Sequence, residues 1–146
     1  MQAQIVLILA PKDDGHAQAV ARALDRDFGS EAIVWDPGYF PSTHTLNFRL
    51  AEGVEDCRID ISQGRTISVA SVRSIWWRRV GPYIIDPGVT DPNIRRFCFN
   101  ECQALFRGAL ASLPVPFVND PEAEGSADRK PLQLATAVKA GLRIPS

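Results

Sequence analysis

The sequence predicts an α/β domain, a mainly parallel sheet flanked by helices, with a small antiparallel meander inserted at about residues 45–72. Three observations predict it. The run Ile5-Val6-Leu7-Ile8-Leu9 is continuously apolar and branched, the composition of a strand buried on both faces. A helical apolar period and a returning strand follow it, the opening of a right-handed βαβ unit. From Thr45 to Val72 the period changes to two and turn residues interrupt it, as in antiparallel hairpins.

After the first strand, Asp13 or Asp14 can cap a helix whose apolar positions are Ala17, Val20, Leu24 and Phe28, and Gly29 offers the left-handed stop. Glu31 to Asp36 returns as the second strand. Within the meander the strands are Leu46 to Leu50, Cys57 to Ile61 and Thr66 to Val69. Arg58, Asp60 and Ser62 alternate with Cys57, Ile59 and Ile61, and Gln63-Gly64-Arg65 supplies a tight turn. Ser74 to Arg79 restarts the buried-strand pattern, with Trp76 and Trp77 expected in the core, and ends in paired cations. Asp91-Pro92 is a helix start, a capping acid before a proline in the first turn. Its apolar stripe is Ile94, Phe97, Cys98, Cys102, Leu105 and Ala109, stopping near Leu113-Pro114. Val115 to Val118 is a short strand closed by Asn119-Asp120-Pro121, and Glu122 to Ser126 reads as a loop. A last helix runs from roughly Lys130 to Ala140, with Leu134, Ala135 and Val138 inward, and ends at Gly141.

A chain of 146 residues with 45% hydrophobic content buries about 70% of its unfolded surface, enough for a core in a single domain, 1–146, without metal or disulfide staples. The formal net charge of -1 argues against a protein that holds nucleic acid by bulk electrostatics. The apolar run Ile5 to Ala10 is too short for a membrane span and lacks the basic flank of a signal peptide. Cys57, Cys98 and Cys102 form no paired framework, so the protein is expected to be cytoplasmic and reduced.

Ligands of an open parallel sheet bind beyond the carboxyl ends of its strands. The polar residues there are Lys12, Asp13 and Asp14, Asp36, Arg78 and Arg79, and Asn119 and Asp120. Arg78 and Arg79 either recognise a carboxylate or phosphate with their planar forks, or neutralise Asp86, Asp120 or Glu101 while their stems cover apolar surface. Neighbours on a strand point to opposite faces, so the two meet on one anion only if the strand has already ended. Asp13 and Asp14 would suit a phosphate-receiver domain. That domain also needs an Asp after its third parallel strand and a Lys near its last, where this chain has Arg78-Arg79 and Asn119-Asp120. Cys98 and Cys102 are read as small apolar fillers, since no four-ligand metal set accompanies them. His16 is a helix residue beside a strand end, and His44 lies in a loop without an identifiable partner. No phosphate loop, dinucleotide fingerprint, nucleophile elbow or Cys-His pair is present, so no catalytic residue is assigned.

Three stretches resemble the N-terminal, pre-ATP-grasp domain of ATP-grasp ribosomal-peptide maturases of the microviridin or graspetide type. They are Ile5 to Leu9 with the Asp14-Gly15-His16-Ala17 entry, the Ile75-Trp76-Trp77-Arg78-Arg79 strand, and Val118-Asn119-Asp120-Pro121 with Ala127, Lys130, Gln133-Leu134, Ala137, Gly141-Leu142 and Ile144-Pro145. The resemblance implies a Rossmann-like fold and a parent ligase that uses ATP and Mg²⁺ to activate a side-chain carboxylate as an acyl phosphate. A hydroxyl or amine then attacks it, closing an ester or amide cross-link in a precursor peptide. It also implies a homodimer, and places the nucleotide- and metal-binding residues in domains beyond a segment like Ile144-Pro145. No cofactor is therefore expected on this chain, and Lys130 is not assigned to ATP. Pro131 suits the first turn of a helix starting near Lys130. The expected role is to pack on the catalytic domains, assist dimerisation and form one wall of the peptide cleft through Arg78, Arg79, Asn119 and Lys12. The rival is a non-enzymatic module of the same fold that binds a peptide or protein by adding a strand to the meander's edge.

Overall fold

The hydrophobic run at the start pairs on both of its edges, which makes it the organising strand. In the computed structural model, which describes residues 5–51, 54–61 and 64–145, β1 (Ile5–Leu9) lies between β2 (Ala32–Trp35) and β6 (Val72–Trp77). All are parallel, and β7 (Phe117–Val118) extends the sheet to the order β2-β1-β6-β7. Leu7, Ile8 and Leu9 have no exposed surface, as a strand covered on both faces requires. The meander is a separate antiparallel sheet of β3 (Thr45–Ala51), β4 (Val54–Ile61) and β5 (Arg65–Ser68) in that order. Its inward row, Leu46, Cys57, Ile59 and Ile67, joins the main core. Asp60 ties its other face, accepting from the hydroxyls of Thr45 at 2.8 Å and Thr66 at 2.6 Å. Ser62, the end of the expected alternation, and Gln63, the first residue of the expected turn Gln63-Gly64-Arg65, lie outside the described residues.

Helix α1 (Gly15–Phe28) is capped by Asp14 and stopped by Gly29 at φ 57°, where the N–H of Ser30 returns to the carbonyl of Leu24. It covers one face of the sheet thinly. Of its residues only Ala17 is buried, and Val20 and Phe28, expected inward, are exposed. Helix α2 (Pro92–Ala111) covers the other face densely. Its buried residues are Cys102, Phe106, Ala109 and Leu110, whereas Ile94, Phe97 and Leu105 of the expected stripe face water. Both sets have helical spacing, and the sheet selects the one containing Phe106, whose ring meets Trp35 at 5.6 Å, Tyr83 at 5.8 Å and Trp77 at 6.0 Å. Trp77 is buried as expected; Trp76, on the thinly covered face, is only partly so. Burial lifts the Tyr83 phenol to about 12.

The loop between β6 and α2 is pinned by Arg95, whose guanidinium donates to the carbonyls of Asp86 at 3.0 Å and Val89 at 2.9 Å. Glu122 to Ser126, expected as a loop, lie within helix α3 (Pro121–Ala127). Asp120 caps it and Pro121 occupies its first turn, the same signature that opens α2. Gly125 and Ser126, poor helix formers, masked that signal. Helix α4 (Lys130–Lys139) starts where expected but buries nothing; Leu134 and Val138 are 41% and 55% exposed rather than inward.

Phe106→Ala is expected to cost about 3–5 kcal/mol in urea unfolding, because the ring lies at the centre of the aromatic cluster. Leu105→Ala, one residue away on the exposed side, should stay within about 0.5 kcal/mol of the parent.

Candidate functional site

The carboxyl end of the parallel sheet is organised by Asp14. The acid sits in the turn after β1, its side chain is only 4% exposed, and its Oδ1 accepts the N–H of Ala17 at 2.8 Å as the cap of α1. Arg78 Nε lies 3.0 Å from both carboxylate oxygens, and its guanidinium lies 5.1 Å from the centre of the Trp76 ring. Arg79 Nη1 is 3.9 Å from the same carboxylate. The Ala17 N–H and then the two guanidinium groups hold the Asp14 carboxyl below the ordinary aspartate range.

Both arginines reach one acid because β6 ends at Trp77. The N–H groups of Arg78 and Arg79 both point to the carbonyl of Leu9, at 3.2 and 3.1 Å, an arrangement that successive residues of a regular strand cannot make. Their partner is Asp14 rather than Asp86, Asp120 or Glu101. Asp86 instead accepts the N–H of Gly88, and Asp120 those of Glu122 and Ala123. The arginines differ in reach: the Arg78 side chain is 19% exposed, and that of Arg79 is 71% exposed and faces solvent.

Lys12 and Asn119 do not join this cluster. Lys12 is exposed on the rim of a groove of about 600 Å³ between β2 and the meander, which Asp36, Tyr39, Thr43, His44 and Arg65 also line. Asn119 is exposed beyond β7. Next to it Asp120 borders a cavity of about 270 Å³ with Trp77, Arg107 and Phe117.

His44, expected to lack a partner, is buried, and its Nδ1 accepts the indole N–H of Trp35 at 3.0 Å. An accepting Nδ1 requires the neutral ring. Burial, helped by the nearby charge of Lys12, pushes the imidazole below its ordinary value, against the opposing pull of Asp36. No sequence pattern announces this pair, which is nine residues apart and set by the turn at Pro37–Tyr39. Arg65, in an ion pair with Glu31, was likewise not singled out from the sequence. Among the described residues no group of three or more His, Cys, Asp or Glu is placed to hold a metal ion, and the Asp14 carboxylate is already committed to a helix cap and two guanidinium groups. Burial pushes the Cys102 thiol up, which fits a filler.

The Asp14 carboxyl is lowered by folding, so its contribution is complete above the ordinary value of 3.8 and is lost as pH falls below it towards the folded value. The gap in melting temperature between the parent and Asp14→Asn should close over that range, and Arg78→Ala should lower the melting temperature more than Arg79→Ala. His44 is also lowered, so its contribution is complete above 6.5 and fades as pH drops below it. Denaturation followed by tryptophan fluorescence should show that loss, and His44→Gln should remove the dependence.

Among solved structures the chain is similar to the macrocyclase MdnB of Microcystis aeruginosa MRC, at 27% identity and a TM-score of 0.86 over 98% of this chain and 46% of that one. It is also similar to MdnC of the same organism bound with its precursor peptide MdnA, at 26% identity and a TM-score of 0.81 over the same shares. The ATP-grasp ligase PsnB complexed with precursor peptide PsnA2 and AMPPNP matches at 28% identity and a TM-score of 0.65, over 100% of this chain and 46% of that one. The chain therefore spans a little under half the length of these enzymes. No curated protein sequence matches it significantly. No helix among the described residues is long and apolar enough to cross a membrane. The model of the MvdD pre-ATP grasp domain matches residues 4–124, most of the chain, and the protein belongs to that family.

Proposed function

We propose that this domain is the N-terminal unit of a cytoplasmic, ATP-dependent peptide ligase of the microviridin or graspetide type. That enzyme closes ester or amide cross-links in a ribosomal precursor peptide. The observation that carries the reading is the likeness to MdnB over 98% of this chain, together with relatives solved in complex with precursor peptides. In this reading ATP and Mg²⁺ belong to the ATP-grasp domains of the parent enzyme, as the resemblance to peptide maturases implies.

The division of labour follows from charge and exposure. Arg79, turned to solvent beside a carboxylate it shares with Arg78, meets the acidic side chains of the peptide, and Arg78 fixes its position by holding Asp14. Lys12 and Asn119 contact the peptide from either side of that pair. The apolar residues of α4 pack on the catalytic domains, and the exposed Ile94, Phe97 and Leu105 of α2 meet a second copy in a homodimer.

Calorimetric titration of this chain with ATP and Mg²⁺ should give no binding heat, and micromolar affinity would overturn the assignment. When the domain is joined to ATP-grasp domains, mass spectrometry should detect loss of one water for each cross-link closed in the precursor. Arg79→Ala should then raise the peptide KM roughly tenfold, the worth of one charge-assisted contact, and leave ATP use intact.

A further inference from the structure

Arg95, Phe99, Gln103 and Arg107 recur every four residues along α2, so they form one ridge of the helix, and that ridge meets the loop leaving β6. At one end Arg95 is committed to the loop carbonyls of Asp86 and Val89. At the other end Phe99, Gln103 and Arg107 face Val80 to Tyr83 across a cavity of about 210 Å³, which Trp77 also borders. Here the guanidinium is not committed. Among the described residues Arg107 makes no hydrogen bond, and its ion pair with Glu122 is 3.9 Å long between side chains 52% and 89% exposed, a contact worth little. Glu122 lies outside this cavity, and no Asp or Glu is among the described residues that line it. A second donor is buried there. Tyr83 is 8% exposed, with its ring held by Phe40, Phe99 and Phe106. A buried phenol ordinarily finds a partner, yet among the described residues this hydroxyl makes no hydrogen bond. The charge of Arg107 acts on the phenol against the effect of burial, so the hydroxyl lies on the guanidinium side of the cavity. The Gln103 amide and the backbone N–H groups of Val80 and Gly81 are likewise unpaired among the described residues.

We propose that this cavity binds a single carboxylate carried on a small aromatic or apolar body, with the carboxylate received by Arg107 and Tyr83 and the body packed against Trp77 and Phe99. One planar guanidinium suits one carboxylate, whereas a doubly charged phosphate calls for further cations, and no other Lys or Arg is among the described lining residues. A volume below the roughly 300 Å³ at which drug-sized sites begin limits the enclosed part of the ligand to about one ring. The acid is either a free small molecule or the carboxyl terminus of a peptide, and both present the same chemistry to the site. None of these residues serves the peptide cleft, the nucleotide or a second copy in the ligase reading, so the site stands independently of it.

The test titrates this chain with phenylacetate, followed by amide and side-chain NMR, with the neutral phenylacetamide as control. Phenylacetate should bind at millimolar levels with shifts centred on Gly81, Gln103 and Arg107, and phenylacetamide should bind roughly tenfold more weakly. Arg107→Gln should weaken phenylacetate binding roughly tenfold with unchanged circular dichroism, since the side chain is half-exposed. Tyr83→Phe should weaken it roughly fivefold and leave the melting temperature in place, because the hydroxyl it removes bonds to nothing among the described residues. Absence of saturable binding, equal affinity for the amide or in folded Arg107→Gln, or a marked fall in the melting temperature of Tyr83→Phe would overturn the proposal. Binding that appears only in Glu122→Gln would overturn it too, because the guanidinium would then already be taken by its neighbour. An acetylated tripeptide ending in phenylalanine separates the two sources. Tighter binding than phenylacetate, lost when the terminus is amidated, supports the site as one for a peptide end, and weaker binding supports it as one for a free acid.

Discussion

A single buried carboxylate holds the carboxyl end of the sheet together. Asp14 caps α1 through the Ala17 N–H and receives the guanidinium of Arg78 from the end of β6, so it joins the turn after β1 to a segment more than sixty residues away in sequence. A charge this enclosed persists only where hydrogen bonds and opposite charge replace the water it has lost, and Asp14 has both. The arrangement also distributes the arginines. With the carboxylate occupied by Arg78, Arg79 lies at its margin and extends outward, so a structural ion pair sets the position of a solvent-facing cation.

The sheet faces two different environments. On the α2 side, Phe106 gathers Trp35, Trp77 and Tyr83 into a dense aromatic layer that continues into the inward row of the meander. On the α1 side the buried apolar residues among those described are Ile8, Ala10 and Ala17, with Val6, Val34 and Trp76 half-covered. The domain's stability therefore resides in the α2 layer, and its edges and outer helices are where further protein can pack.

Local patterns made much of this legible in the sequence. Continuous apolar composition marked β1, period-two alternation marked the meander, and capping acids before proline marked α2. What was hidden depends on contacts between distant residues. Helical spacing in α2 allowed two apolar faces, and only the position of Trp35 and Trp77 decides between them. The convergence of Arg78 and Arg79 needed the end of β6 to be known to within a residue, and the Trp35–His44 bond needed the turn at Pro37–Tyr39. The cap at Asp120 was visible in principle, since it repeats the Asp-Pro pair at Asp91, but the weak helix formers after it hid α3. The groove at β2 follows from strand order, which no local pattern records.

The arm formed by α3 and α4 has a practical corollary. Leu132, Leu134, Val138, Leu142 and Ile144 all stand 41% or more in solvent along one short stretch, and no residue of α4 is buried. Such a surface is adhesive: two molecules that meet there remove oily side chains from water, so concentrated solutions of this polypeptide would cluster through α4. Replacing Leu134 and Val138 with glutamate would improve colloidal behaviour without touching the folded sheet.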